Sequence, residues 1–109
     1  MEQATYRCTK ADVFDLRCGL RHGINGDEVG LTPRQRVIAR AVRQTVTSRQ
    51  REILALYIVD GLGQAQIAMQ LGINTSTVSR TIVTGLKHIN RALLLAGCEQ
   101  IAHAAAVIL

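Results

Sequence analysis

Aromatic residues and proline are nearly missing: the 109 residues hold two Tyr, one Phe, no Trp and a single Pro. A strand-rich sandwich or barrel relies on aromatics and frequent Pro/Gly turns, so it is excluded, and the many Ala, Leu, Ile, Gln and Arg residues favour helices. No apolar run approaches the roughly 18 to 20 residues that cross a bilayer, so no membrane partner is expected. Cysteine is sparse and odd in number (Cys8, Cys18, Cys98), and no apolar leader opens the chain, which suits a reducing cytoplasm. The spacing of Cys8, Cys18 and His22 matches no usual zinc pattern, and Cys98 with His103 adds no second close pair, so no metal or cofactor is expected. Also missing are a nucleophile beside a base, paired catalytic carboxylates and a phosphate loop, and the chain is not read as an enzyme. Acids are few, 8 against 13 Lys+Arg for a formal charge of +5, while 48% apolar content is too high for disorder. One small all-α helical bundle is the class that remains.

Along the chain, residues 1–30 show no sustained period. One short helix near 9–18 is expected there, then a loop punctuated by Gly19, Gly23, Gly26 and Gly30, so this stretch reads as an arm ahead of the main domain, 31–96. From Leu31 the signal sharpens. Thr32 suits an N-cap and Pro33 a first helical position, Val37, Ile38, Ala41, Val42 and Thr45 share one face, and Arg36, Arg40 and Arg43 lie opposite. A second start at Thr47, with Gln50 as its capping-box partner, predicts a helix to about Asp60 that is apolar nearly all round and ended by Gly61. The two starts, Leu31-Thr-Pro-Arg-Gln-Arg36 and Val46-Thr-Ser-Arg-Gln-Arg51, agree at four of six positions; they read as one local solution used twice, not a solenoid.

Residues 63–94 carry the most specific pattern, that of a tri- or tetra-helical helix-turn-helix. A short helix (64–71) meets Gly72-Ile-Asn74 and then a long helix from Thr75. Ala68 is small enough for a close crossing, Gly72 suits the positive φ of a tight turn, and Ile67, Leu71, Ile73, Val78 and Ile82 would lock the two helices. Asn74 is placed to cap the second helix. Its apolar stripe, Val78, Ile82, Leu86, Ile89 and Leu93, is one helical face, whereas Thr75, Ser76, Thr77, Ser79, Arg80, Thr84, Lys87 and Arg91 lie elsewhere without a single acid. A surface of hydroxyls and cations suits phosphates and base edges. Charge is segregated too: Arg34 to Arg51 holds six arginines and no carboxylate, and Gly61 to Cys98 holds three cations and no carboxylate. The same spacings would also serve a plain αα-hairpin, and Gly85 in a β-branched stretch lowers intrinsic helix propensity.

Val46-Thr-Ser-Arg-Gln-Arg-Glu-Ile-Leu54 together with Gly63-Gln-Ala-Gln-Ile-Ala-Met-Gln-Leu-Gly-Ile-Asn-Thr-Ser-Thr-Val-Ser-Arg80 resembles region 4 of bacterial sigma-70-type factors, and more loosely the LuxR-type output domain. The resemblance implies a helix-turn-helix with its second helix in the major groove of double-stranded DNA. Carried onto this chain, it places Thr75, Ser76, Ser79 and Arg80 at bases and Arg49, Arg51, Thr77, Thr84 and Lys87 nearer the backbone. Primary sigma factors use charged residues at several of the base positions; Thr75, Ser76 and Ser79 are neutral, so a standard −35 element is not the expected target. A chain of this length has no room for the region that melts the −10 element, and a bacterial or phage transcription regulator is expected. The alternative is an adaptor that keeps the fold to bind RNA polymerase or a regulatory protein. Residues 97–109 are strongly apolar; a last helix there is expected to fold back on the domain or to pair two copies as a homodimer.

Overall fold

The computed structural model describes residues 10–101, and its first helix, α1 (Lys10–Asn25), runs straight through two glycines expected in a loop. Asp12, Leu16, Gly19, Leu20 and Gly23 form its buried stripe, which packs on α2 (Pro33–Gln44). A Cβ on Gly19 would overlap Ile38 Cγ2, and one on Gly23 would lie 2.7 Å from the carbonyl oxygen of Ala39. These glycines are the points where two helix backbones meet. Each lowers helix propensity by about 1 kcal/mol, but burial of Leu16 and Leu20 stabilises by roughly 1.5–3 kcal/mol apiece. The chain turns only at Gly26 (φ +76°), with the Asp27 N–H returning to His22 O. The expected arm is therefore corrected: 10–25 shares one core with α2, and 1–9 lie outside the described residues.

Both predicted starts are capping boxes. Thr32 Oγ1 accepts from the Gln35 N–H while Gln35 Oε1 accepts from the Thr32 N–H (3.2 and 3.1 Å), and Thr47 and Gln50 repeat the exchange at 3.2 and 3.0 Å. The likeness goes further than the caps. Arg36 donates to Leu31 O and Arg51 to Val46 O, both at 3.0 Å, and Leu31 and Val46 are both buried. Each six-residue start thus closes on itself through the same three contacts. The α2 helix ends at an exposed Thr45, whose hydroxyl donates to Ala41 O, so Val46 takes the buried place instead.

The third helix, α3 (Ser48–Leu54), widens without a break into a π-helical turn, Ala55–Val59, where an unbroken α-helix to Asp60 was expected. The Asp60 N–H reaches back to Ala55 O, and Arg17 from α1 donates to Ile58 O at 3.0 Å. Gly61 (φ +74°) then reverses the chain into α4 (Gln64–Leu71) and α5 (Thr75–Leu95). Leu20, Ile38, Val42, Ile53, Leu54, Ile67, Val78, Ile82, Ile89 and Leu93 form one core fed by all five helices.

Gly85 of α5 is buried because α3 crosses there: a Cβ would sit 2.8 Å from Leu54 Cδ1. Beyond α5, Gly97 (φ +75°) turns the chain and residues 98–101 run without helix. Asn90 brackets Ile101, giving a hydrogen bond to its carbonyl (3.1 Å) and taking one from its N–H (2.7 Å). Arg34 binds Glu99 O and Gln100 O while pairing with Asp12 (2.8 Å) and Asp15 (2.9 Å) on α1. The helix expected over 97–109 is absent from 97–101, where Ile101 is buried in the chain's own core, and 102–109 lie outside the described residues. Among the described residues there is no strand, and no helix is long and apolar enough to cross a membrane.

Candidate nucleic-acid interface

The turn between α4 and α5 is set by one residue, Gly72, at φ +69° and ψ +35°. Its left-handed backbone lets the Ile73 N–H reach Ala68 O at 3.0 Å, which closes the end of α4 in the manner of a Schellman turn. Ala68 is buried at the crossing with Ile67, Val78 and Ile82, and Ile73 is half-buried against the same cluster. Asn74 holds the N-cap position with extended backbone, but its side chain makes no capping hydrogen bond. Its carbonyl takes the Thr77 and Val78 N–H groups instead, so the expected side-chain cap is corrected to a backbone one.

With Val78, Ile82, Gly85, Leu86, Ile89 and Leu93 turned inward, α5 has a defined outer face. At 100° per residue, Ser76, Arg80, Thr84, Lys87 and Arg91 fall within one sector opposite the buried stripe, and all five are exposed. Thr75 is exposed at the start of the helix, while Thr77 and Ser79 flank the sector half-buried. Thr81 is turned back on the helix, its hydroxyl donating to Thr77 O at 2.7 Å. Arg91 was expected on the outer face but given no DNA contact, although its place seven and four residues from Thr84 and Lys87 puts it in the same stripe.

The arginines outside α5 are placed differently from what linear charge suggests. Arg34 is held by Asp12 and Asp15; Arg40 and Arg43 converge on Glu28 at 3.1 and 2.6 Å, with Arg36 at 3.9 Å. Hydrogen bonds from Arg40 and then Arg43 pull the Glu28 carboxyl from its ordinary 4.5 down to about 2. Arg51 donates to Val42 O, Val46 O and Ser48 Oγ, and so closes the end of α2 and the start of α3 with its guanidinium. Arg49 is exposed and pairs with Glu52 at 3.1 Å. Arg80, Lys87 and Arg91 have no carboxylate partner among the described residues, and 61–98 supplies none. Within 31–98 the exposed cations without a carboxylate partner are therefore those of α5.

Residues 39–89, just under half of the chain, match the family described as sigma-70, region 4. Comparison with curated proteins and with solved structures finds no match. The matched segment starts midway along α2 and takes in α3, the π turn, α4 and most of α5; α1 and the 98–101 segment fall outside it.

Proposed function

We propose, from the premise that residues 39–89 form a sigma-70 region 4 helix-turn-helix, a DNA-binding module of transcription, that this protein is a sequence-specific regulator reading double-stranded DNA with α5. The helix enters the major groove from its N-terminal end. Thr75, Ser76, Ser79 and Arg80 meet base edges there, with the Arg80 fork suited to the O6 and N7 acceptors of guanine. Thr77, Thr84 and Lys87, joined by Arg91 on the same stripe and by Arg49 at the start of α3, face phosphates. Arg51 is not given that role, because its guanidinium already serves three oxygens of the protein.

The observation that carries the reading is the exposed sector of α5, three unpaired cations among hydroxyls with no carboxylate from 61 to 98. Selection of bound fragments from a random duplex pool tests it. A defined sequence should emerge, and Arg80→Ala should weaken binding to it by about 1–3 kcal/mol and relax preference at one position. Unchanged affinity and preference would remove Arg80 from the groove.

The internal pairing of the α2 arginines favours one second reading, an adaptor that contacts RNA polymerase with little DNA affinity of its own. It is distinguished by the absence of any salt-sensitive duplex binding together with copurification of polymerase.

A further inference from the structure

The face of α1 turned away from the core is unexplained by DNA reading and lies outside the family segment. Its residues Lys10, Phe14, Arg17, Arg21 and Ile24 follow steps of four, three, four and three, the 3.5-residue seam by which one helix packs along another. All five are exposed, Phe14 at 61% and Ile24 at 51%. Phe14 is the only phenylalanine in the chain. The acids of α1 are sorted the other way: Asp12 and Asp15 are turned to α2 and bound by Arg34, with Gln35 also donating to Asp15. One side of α1 therefore carries its carboxylates inward, and the other presents Lys10, Arg21 and the two terminal nitrogens of Arg17, whose Nε donates to Ile58 O, interleaved with two large apolar side chains.

We infer that this seam is a docking surface for an acidic amphipathic helix of a partner protein, which packs apolar residues on Phe14 and Ile24 and sets carboxylates against Arg17 and Arg21. Charge complementarity selects that occupant. A second copy of this chain is disfavoured, because pairing the seam with itself in either direction brings arginine against arginine. A phosphate backbone would satisfy the cations but leave Phe14 and Ile24 uncovered, whereas aromatic residues and arginine together are the composition of protein-binding hot spots. Among the described residues, α1 packs on α2, α3 and the π turn through its other side, which leaves the seam open.

The test uses the full chain and two synthetic helical peptides of about 20 residues, sharing a leucine seam and flanked either by Glu or by Lys. Amide chemical shifts should move along 10–25 with the Glu peptide and not with the Lys peptide, and added salt should weaken the effect. Phe14→Gln and Arg21→Glu, both at exposed positions, should each lower affinity for the Glu peptide by about tenfold or more while duplex binding by α5 stays unchanged. The proposal is overturned if the Glu peptide causes no shifts at millimolar concentration, if it maps to α5, or if both peptides bind alike. It is overturned equally if duplex DNA perturbs α1 as strongly as α5, or if Phe14→Gln dissolves a dimer of the chain.

Discussion

Gly23 and Glu28 show how far a residue's role depends on what folds against it. In an isolated helix Gly23→Ala would stabilise by about 1 kcal/mol. Here the new methyl would lie 2.7 Å from a backbone oxygen, Ala39 O, that cannot swing aside. Overpacking wins, and the variant should lose about 1–3 kcal/mol in urea unfolding; a gain would mean α1 sits farther from α2 than described. Glu28 has a lowered pKa, so the stability it contributes is fully present above its ordinary 4.5 and is lost as pH falls toward about 2. Glu28→Gln should therefore be less stable than the parent at pH 7, with the gap narrowing as pH falls from 4.5 and vanishing only below about 2. A gap that stays at its pH 7 size down to pH 2 would assign the effect to packing of the 26–31 loop, not to charge. The Arg34 to Asp12 and Asp15 cluster is a different case, since it joins α1, α2 and the 98–101 segment at one guanidinium.

Helix starts were the most legible elements. Capping chemistry spans four consecutive residues and needs nothing from the rest of the chain, which is why Thr32, ahead of Pro33, and Thr47, with Gln50, could be placed from sequence; the Thr32 box with Gln35 is added by the structure. The structure adds the reason the two starts look alike: Arg36 and Arg51 each bind the carbonyl five residues back, over a buried Leu31 or Val46. Because the contacts recur, Thr32→Ala and Thr47→Ala should each destabilise by about 1 kcal/mol in thermal or denaturant unfolding. Unequal losses would show that tertiary surroundings, not the motif, govern the caps. The helix ends and interiors were harder. Gly19 and Gly23 look like breakers in a list of residues, and only the approach of α2 makes them helix-compatible. Gly85 was read as a liability and is instead the place where Leu54 nests. The π turn at 55–59 left no sequence signal, since an all-round apolar stretch fits either helix type.

Over the whole molecule the largest revision concerns charge. Six arginines without an acid between 34 and 51 suggested a broad polyanion footprint, but Glu28, Asp12 and Asp15 come from earlier in the chain and take four of them. On the proposed reading few cations are left for DNA, Arg80, Lys87 and Arg91 on α5 and Arg49 on α3, the last of them paired with Glu52. Plotted logarithmically, duplex affinity should accordingly fall with salt at a slope of about −3 to −4, and Lys87→Ala should lessen it by roughly 0.9. A slope near −6 would show instead that Arg36, Arg40 and Arg43 leave Glu28 for phosphates.

Local order decided part of this protein outright: the all-α class, both capping boxes, the Gly72 turn and the apolar stripe of α5 follow from residues within a few turns of each other, because backbone capping and helical periodicity act over that range. Which cations remain free, why glycines lie inside α1 and α5, and where Arg51 points were decided only by tertiary structure. Those outcomes depend on groups tens of residues apart meeting across helix interfaces, a distance over which neither period nor spacing carries information.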